Sequence, residues 1–464
     1  MDIKHYYITY NAVSTNSTLM SIAYKLAERW KDENNKVRRT KRDFASAFNS
    51  ILTGIEICQG YSDNTYLWIP INKNLYNTYE KRNFTYTTEV YNALTWLIKS
   101  GYLIQVQGIE RSEDAKRFEM KYRPYAYQLT DKWKLDISES RLSTKDEIVR
   151  NPLASKVLLR DRVKAPKTSK QKYRKPAINI TSAMYQENAE LLDSSTKLIE
   201  AYDELMSKQD VTLLGEYVHP RRLSLTRIFS HGSFALGGRF YSPIQNIKKD
   251  EERPHIRFNG DPAIEIDFKA VHPMIMYGQL GLAPPEDPYE IDGYIRDDVK
   301  IAFNIMLNSD NAHSAAGAIV NDFEGRITTE EAHQLQEKIV EKNKPIEKFF
   351  NTGDGLKLQF IDSQIMAEVL SYFVFELKHP IIPIHDSALV SVRDTEHLVV
   401  SLKDAFAKVM DKEDRYAQIP MLKGEASEFK DHLNELILKC FQLRSEEVSK
   451  EEWDAAIEEE SRLL

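Results

Sequence analysis

Residues Ala263–Gly281, AIEIDFKAVHPMIMYGQLG, decide the fold of the second half of this chain. Apolar and polar side chains alternate from Ile264 to Phe268, which predicts a strand. The apolar residues after Pro273 predict a buried helix that ends at the final glycine, since proline is tolerated where a helix begins. Asp267 is therefore expected at the end of a strand, immediately before a helix.

A second acidic residue has a similar setting further along the chain. Residues 380–392, PIIPIHDSALVSV, predict a short hairpin with Asp386 in its middle and apolar runs on both sides. Asp267 and Asp386 are 119 positions apart, yet each is expected at the end of an apolar strand. Two such carboxylates suit a two-metal site for phosphoryl transfer, because two cations roughly 3.5–4 Å apart need fixed oxygen ligands.

These two stretches resemble motifs of the family A DNA polymerases. DFKAVHPMIMYGQLG is similar to motif A, and IPIHDSALV is similar to motif C. Residues 225–247, LTRIFSHGSFALGGRFYSPIQNI, resemble the family segment that contains Thr-Gly-Arg and Gln-Asn-Ile. The three motifs stand in the family's order, and the resemblance covers about Tyr217–Ser427. The chain also resembles the divergent family A-like polymerases of bacterial mobile elements, such as those of the staphylococcal chromosome cassettes.

The resemblance implies an α+β fold with a right-hand polymerase-like palm and short fingers. It also implies that Asp267 and Asp386 bind two Mg²⁺ ions, or Mn²⁺ in their place. His385 is expected to be a further catalytic residue, which orients the strand terminus. A buried structural histidine or aspartate is the alternative for these positions.

A helix predicted at Tyr294–Asn308 carries the residues expected to bind the incoming nucleotide. Arg296, Lys300 and Asn304 recur every four residues and therefore share one helical face. Arginine and lysine one turn apart suit the neutralisation of a triphosphate, and Lys300 is expected to be catalytic. Asn304 departs from the aromatic residue of the family. An exposed basic helix face is the alternative.

Two further departures concern the sugar of the nucleotide. His272 stands where the family carries the Glu that helps to exclude a ribose 2′-OH, and it is a candidate nucleotide-binding residue. Ser387 replaces the Glu of motif C, and His-Asp-Ser is the pattern of the single-subunit RNA polymerases. Both departures favour an enzyme that is able to use ribonucleotides.

Other residues are candidates for contact with nucleic acid, namely Arg239, Gln245, Asn246, Gln359 and Gln364. The resemblance implies that Arg239 touches the primer–template. The two glycines before it allow close approach of the backbone and are expected to aim the guanidinium outward. Gln359 and Gln364 lie on a long helix predicted at Leu356–Lys378, and they suit sequence-blind contact with a minor groove. A surface arginine and a plain polar helix face are the alternatives.

Length and composition allow two or three domains in 464 residues. No apolar run reaches the ~18 residues of a membrane span, and the N-terminal residues MDIKHYYITYN do not predict a signal peptide. The two cysteines, Cys58 and Cys440, cannot form a disulfide framework and predict a reducing cytoplasm. Residues 1–180 hold 32 Lys+Arg against 19 Asp+Glu, whereas residues 181–464 hold 31 against 51. The basic residues 1–180 suit binding of phosphates, and the acidic residues 181–464 suit binding of cations. The alternative is that the solvated faces of the two parts differ in charge by chance.

The pattern predicts four segments. Residues 1–150 show a helix, a turn at Gly101, a strand, a charged loop and a strand, which predicts a winged-helix-like template-binding domain or a generic α+β module. Residues 151–180 predict a basic linker that is punctuated by prolines. Residues 181–430 hold the palm and fingers, and residues 431–464 form an acidic helical tail.

These observations predict a template-directed nucleotidyltransferase, a DNA polymerase or primase-polymerase that replicates a mobile element. The expected partners are a DNA template and primer and nucleoside triphosphates, and the resemblance to the mobile-element polymerases implies a small accessory protein. A single-subunit RNA polymerase is the second hypothesis, which strict rejection of dNTPs would favour. A non-catalytic DNA-binding replication initiator is the third hypothesis, in which the winged helix does the binding.

Overall fold

The structure is a computed structural model that describes residues 4–7, 12–34, 41–59, 65–69, 88–106, 125–133, 148–150, 155–164, 173–174, 177–249, 251–410 and 422–425. The chain divides into two compact units. The first unit takes in Met1–Ala189, Met206–Thr226 and Ser242–Asn246. The second unit takes in Glu190–Leu205, Arg227–Tyr241 and Ile247–Leu464.

Helices and antiparallel sheets both occur, and this mixture agrees with the expected α+β class. The helices are α1 (Ser17–Glu33), α2 (Lys41–Gln59), α3 (Thr88–Lys99), α4 (Ser182–Glu187), α5 (Ala189–Ser207), α6 (Pro220–Leu223), α7 (Val271–Gln279), α8 (Arg296–Asn308), α9 (Ala312–Asp322), α10 (Thr329–Lys342), α11 (Gly355–Ser371) and α12 (Thr395–Val409). Short 3-10 turns span Pro243–Asn246, Arg253–His255, Lys344–Phe349 and Val392–Asp394. Within the described residues, no helix is both long enough and apolar enough to cross a membrane.

The strands are short, and most of them join antiparallel partners. They are β1 (Lys4–Tyr7), β2 (Ala12–Ser14), β3 (Thr65–Ile69), β4 (Leu103–Gln105), β5 (Tyr125–Leu129), β6 (Ile148–Arg150), β7 (Val157–Arg160), β8 (Val163–Lys164), β9 (Tyr173–Arg174), β10 (Ala177–Ile178), β11 (Val211–Leu213), β12 (Glu216–Tyr217), β13 (Thr226–Ser230), β14 (Ser233–Tyr241), β15 (Ile256–Phe258), β16 (Asp261–Phe268), β17 (Ile381–Ile384), β18 (Ser387–Ser391) and β19 (Leu422–Glu425).

The first unit has an aromatic core between its helices and a four-stranded sheet. The sheet has the order β1-β3-β5-β4, with β1 parallel to β3. Trp30 of α1 stacks on Phe44 of α2 with ring centroids 3.6 Å apart. Phe48 of α2 meets Trp96 of α3 edge to face at 5.6 Å. Because aromatic side chains bury large areas in specific geometries, these rings fix how the three helices pack together.

The helix, turn and strands expected in residues 1–150 follow one another in the predicted order. α3 ends before Gly101, whose φ of +75° lies in the left-handed region that commonly ends a helix. β4 and β5 then pair antiparallel, with Leu103 opposite Leu129. The charged loop falls in residues 107–124, outside the described part of the chain. The winged-helix assignment therefore stays a prediction.

Residues 151–180 differ from the linker that the sequence predicts. Their described residues include strands, and β7 pairs antiparallel with β10, so that Leu159 lies opposite Ile178. The apolar run Val157, Leu158 and Leu159 is buried, as a covered strand requires. The first unit continues through this segment to Ala189. The many basic residues around the run mask its short apolar signal in the sequence. The tail expected at residues 431–464 lies outside the described residues.

A sheet of the second unit contains both acidic motifs. β16 pairs antiparallel with β18 on one edge and with β19 on the other, so its second half is an interior strand. β17 pairs with β18, and β15 pairs with the first residues of β16. Ile264 and Ile266 are buried on one face of β16, which leaves Glu265 and Asp267 on the other face. The predicted strand and hairpin are both confirmed.

The helices that flank this sheet follow the predicted pattern closely. α7 has Pro273 in its first turn and ends at Gln279, two residues before Gly281. The helix predicted at Leu356–Lys378 is α11, which continues as a π-helical segment over Tyr372–Leu377. α11 packs against both β14 and α7. This packing brings side chains of three elements together next to the sheet.

Candidate active site

Asp267 lies on β16, and Asp386 lies in the turn that leads into the neighbouring strand β18. Asp267, near the end of β16, is the cross-strand partner of Ser387, the first residue of β18. Asp386 directly precedes Ser387 in the chain. Opposite Cα atoms of antiparallel strands are ~4.5–5.5 Å apart and successive Cα atoms ~3.8 Å apart, so those of Asp267 and Asp386 lie within about 9 Å. Both residues are partly exposed, although Oδ1 of Asp267 is itself buried.

The turn between β17 and β18 consists of His385 and Asp386 alone. His385 has a φ of +60°, in the left-handed region, which histidine adopts more readily than most residues. Tyr241 contacts its ring edge-on, with centroids 5.6 Å apart. Burial lowers the pKa of His385 below its ordinary value, and the charge of Arg239 lowers it further. The imidazole is therefore neutral at pH 7, with one donor and one acceptor nitrogen.

The charges of both acidic residues affect the pKa of Tyr289. Its ring is buried against Phe303, edge to face at 5.2 Å between centroids. Burial raises the pKa of the phenol well above its ordinary value, and the negative charges of Asp386 and Asp267 raise it further. Both carboxylates thus act on one hydroxyl group, which agrees with the placement of Asp267 on β16 and of Asp386 in the turn before the neighbouring strand β18.

A third carboxylate, that of Glu265, lies on the same face of β16 as Asp267. It accepts a hydrogen bond from Oγ of Ser387 at 2.7 Å and forms an ion pair with Arg253 at 3.1 Å. Glu265 and Arg253 were not predicted as site residues. The sequence could have identified Glu265, because the two-residue period of a strand places its side chain on the same face as that of Asp267. Arg253 carries no comparable signal.

Arg239 and His272 meet at Asp362, a buried residue of α11 that sequence reasoning missed. Nε of Arg239 lies 3.0 Å from Oδ1 of Asp362, and Nε2 of His272 lies 3.0 Å from Oδ2. The side chain of Arg239 is only 15% exposed, so its guanidinium is held against Asp362 and not aimed outward as expected. Burial lowers the pKa of Arg239, but the hydrogen bonds and charge of Asp362 outweigh this effect and raise it overall.

Gly238 allows the close approach that brings Arg239 to α11. Its φ is +80°, and a Cβ at this position would lie 2.8 Å from the ring of Phe229 and 2.9 Å from Oγ of Ser363. A side chain therefore does not fit between β14 and α11. The expected close approach of the backbone at this glycine is confirmed.

Arg227, which the sequence did not single out, holds Gln364 in place. Its buried guanidinium donates to the carbonyl of Gly238 at 2.8 Å, to Oγ of Ser195 at 2.9 Å and to Oε1 of Gln364 at 2.8 Å. Burial lowers the pKa of Arg227 to about 9, so the group is still charged at neutral pH. Since Oε1 of Gln364 accepts from Arg227, the amide NH₂ of Gln364 is directed elsewhere.

The three residues predicted on one helix to bind the incoming nucleotide lie on α8, as expected. Nε of Arg296 lies 2.5 Å from Oδ2 of Asp287, and its guanidinium lies over the ring of Tyr289 at 5.4 Å. The hydrogen bond to Asp287 raises the pKa of Arg296 above its ordinary value. Lys300 and Asn304 follow at successive turns and are half-buried. Arg296 is therefore engaged by a carboxylate, although its side chain is 45% exposed.

The other candidates for nucleic-acid contact are distributed more widely. Gln359 is half-buried on α11, one turn before Asp362 and Ser363. Gln245 and Asn246 belong to the first unit, in the 3-10 turn Pro243–Asn246. Their predicted contacts with nucleic acid stay predictions.

The donor atoms at the site set limits on the metal that it could hold. Within the described residues, no group of three or more His, Cys, Asp or Glu side chains is arranged as a metal site. The candidate ligands are the two carboxylates of Asp267 and Asp386. One or two carboxylates, with substrate phosphates and water, are the usual ligands of Mg²⁺ in phosphoryl-transfer sites, so this donor set fits that ion.

Comparison with known proteins finds matches among solved structures. No protein-family model matches the sequence, and no curated protein matches it. A solved structure of the POL domain of Pol1 from M. smegmatis, in complex with DNA primer-template and dNTP, aligns with a TM-score of 0.32 and 11% sequence identity. The alignment covers 88% of this chain and 80% of that chain.

Proposed function

We propose that this chain is a template-directed nucleotidyltransferase that extends the 3′ end of a nucleic acid. One observation carries the proposal. Asp267 on β16 and Asp386 in the turn before the neighbouring strand β18 are distant in sequence but close in the sheet, and both residues are partly exposed. Two fixed carboxylates at one end of a sheet are the arrangement that two-metal phosphoryl transfer requires.

Asp267 and Asp386 would hold two Mg²⁺ ions. When bound, such ions lower the pKa of an attacking hydroxyl and stabilise the charge of the leaving group. The hairpin gives Asp386 little freedom, because only two residues connect β17 to β18. Asp267 is fixed by pairing of β16 on both edges. A rigid pair of ligands of this kind needs no reorganisation when substrate binds.

The phosphates of the incoming nucleotide would be bound from α8. Lys300 supplies a positive charge one turn from Arg296, and Asp287 orients the guanidinium of Arg296 through their ion pair. Positive groups that are already oriented stabilise the charge that develops on a triphosphate during transfer. Asn304, on the next turn of the same face, would add a neutral hydrogen-bonding group.

The end of the duplex would be bound by residues of β14, of α11 and of the turn between β17 and β18. Arg239 contacts the primer–template, and neutral His385 orients the strand terminus through one of its ring nitrogens. Gln359 and Gln364 of α11 contact the minor groove, where amide NH₂ groups meet base acceptors. Gln245 and Asn246 would provide further contacts.

The choice of sugar is the finer part of the proposal. His272 holds the position expected to meet the nucleotide sugar, and it is bound to Asp362. We propose a primase-polymerase of a mobile element that accepts ribonucleotides and works with a small accessory protein. The basic first 180 residues, with α3, β4 and β5 in winged-helix order, would hold the template.

The test is incorporation of nucleotides on a DNA template with Mg²⁺ and all eight nucleotides, with and without a primer. Asp267→Ala and Asp386→Ala are each expected to lower product formation roughly 10³-fold, which corresponds to several kcal/mol of transition-state stabilisation. Asp261→Ala is the matched control, since Asp261 lies at the other end of β16 in an ion pair with Arg393. Product formation unaffected by the loss of Asp267 or Asp386 would refute the proposal.

A single-subunit RNA polymerase is a second candidate, favoured by Ser387 in the sequence His-Asp-Ser. Strict rejection of dNTPs in the same assay would select it. Sequence-specific DNA binding without any Mg²⁺-dependent synthesis would instead identify a non-catalytic replication initiator.

A further inference from the structure

Asp362 is a buried carboxylate that joins two of the candidate site residues. It lies on α11 with a side chain that is 1% exposed. Its oxygens contact Arg239 of β14 and His272 of α7, whose side chains are 15% and 14% exposed. A buried carboxylate is unfavourable unless its oxygens are bonded to donors, and these two residues supply the donors.

The contact fixes the plane of the Arg239 guanidinium. Asp362 accepts from both Nε and Nη2, which is a two-point contact along one edge of the group. An arginine has five N–H donors, so the remaining ones face away from Asp362 and are directed elsewhere. Without this carboxylate the long arginine side chain would sample several rotamers, and a ligand would have to order it on binding.

The same carboxylate sets the hydrogen-bonding state of His272. An ionised carboxylate only accepts hydrogen bonds, so Nε2 of His272 carries a hydrogen and donates it to Oδ2 of Asp362 at 3.0 Å. The ring orientation of His272 and the guanidinium plane of Arg239 therefore depend on one group. That group belongs to a third element, α11.

We propose that Asp362 is a positioning residue that couples the contact of Arg239 with the duplex end to the contact of His272 with the nucleotide sugar. This inference rests on the proposed function and deepens it. Asp362 itself does not touch the substrate. It acts only through the two side chains that it orients.

The first measurement is binding of a fluorescent primer–template hairpin, followed by anisotropy at a fixed salt concentration. Asp362→Asn is expected to weaken binding about tenfold, within the range for loss of an orienting partner. The double variant with Arg239→Ala should bind no more weakly than Arg239→Ala alone, because Asp362 acts through Arg239. Removal of a negative charge would by itself tighten binding to DNA, so weaker binding separates orientation from net charge.

The matched control is Glu368→Gln, which removes a carboxylate from the same helix. Glu368 forms an ion pair with Lys408 and is not part of the proposed site. This variant is expected to bind the hairpin as the wild type does. If Asp362→Asn fails to fold, Asp362→Glu replaces it in the test, because it keeps the charge but displaces the carboxylate. Binding by Asp362→Glu is then compared with binding by Arg239→Ala and by the double variant.

The second measurement is the ratio of kcat/KM for ribonucleotides to that for deoxyribonucleotides. Asp362→Asn should shift this ratio in the same direction and by about the same factor as His272→Ala, and the double variant should shift it no further. A merely structural role would lower both values together and leave the ratio unchanged.

Several results would overturn the inference. In the binding measurement, these results are unchanged or tighter binding by Asp362→Asn, an effect that adds to that of Arg239→Ala, and no binding of the hairpin by the wild type. In the kinetic measurement, the result is an unchanged ratio of ribonucleotide to deoxyribonucleotide kcat/KM in an active Asp362→Asn variant. The outcome is separable from that of the proposed function. Synthesis that needs Asp267 but ignores Asp362 refutes only the positioning role, whereas the binding result stands even if no synthesis is found.

Discussion

Ser387 donates a hydrogen bond to Glu265 across two neighbouring strands, with 2.7 Å between Oγ and Oε1. Both residues are buried, and Glu265 is also paired with Arg253. The hydroxyl therefore completes the set of donors around a buried carboxylate. If position 387 carried an acidic residue instead of serine, its carboxylate would lie beside the buried carboxylate of Glu265.

Ser387→Glu is accordingly expected to destabilise the protein by about 3 kcal/mol, because it adds a like charge and extra volume beside Glu265. Ser387→Ala should cost only about 1 kcal/mol, since Glu265 keeps its ion pair with Arg253. Urea unfolding of the two variants measures the difference. Equal stability of the two would show that Glu265 does not occupy this place in solution.

Gly238→Ala is expected to lower the free energy of unfolding by about 3 kcal/mol or more. The φ of +80° alone costs about 1–2 kcal/mol for a residue with a Cβ, and the clashes with Phe229 and Ser363 add about 1–3 kcal/mol. Gly260→Ala is the control, because Gly260 has a φ of +94° but no atom within 4 Å of its Cβ position. A similar loss of stability in both variants would contradict the close approach of β14 to α11.

The pH dependence of stability should carry a contribution from His385. Its pKa is lower in the folded protein than the ~6.5 of an unperturbed histidine, so the unfolded chain takes up this proton first as the pH falls. His385 therefore lowers stability as the pH falls below about 6.5, by up to about 1.4 kcal/mol per pH unit, until its folded-state pKa is passed.

His385→Asn removes this titration and keeps a residue that tolerates the left-handed turn. Urea unfolding of both proteins at about pH 7.5 and about pH 5.5 is the measurement, and the wild type should lose more stability than the variant. An equal loss of stability in both proteins would show that the folded structure does not lower the pKa of this histidine.

Lys300→Ala should lower kcat/KM for nucleotides by about 10²-fold, the usual loss when one donor to a developing charge is removed. Lys338→Ala is the control, because Lys338 lies on α10 in an exposed ion pair with Glu341. The two variants are compared under the conditions of the incorporation assay. An equal effect of both would assign Lys300 to a plain basic helix face.

The strands and the turn of the site were predictable because each has a local pattern. Alternation from Ile264 to Phe268 identifies β16, and two apolar runs around His385 and Asp386 identify the hairpin. Their spacing also placed both acidic residues at strand ends. The strand Val157–Arg160, in the segment predicted to be a linker, was harder to predict, because it has only three apolar residues among many charged ones.

The partners of the site residues were not predictable in the same way. Asp362 lies 123 positions from Arg239, and Gln364 lies 137 positions from Arg227. In sequence, Asp362 looks like part of the polar face of α11, although it is buried against β14 and α7. Helical periodicity indicates which residues share a face, but it does not indicate which distant side chain packs against that face.

The pairing of β16 with β19 limits how far the protein can be shortened. A fragment that stops at residue 410 would retain both motif aspartates and all described helices, but one border of β16 would lose its neighbour at Leu422–Glu425. Unpaired backbone amides and carbonyls on such a border recruit strands from other molecules. The shortest piece worth expressing for crystallisation or enzymology therefore reaches at least residue 425.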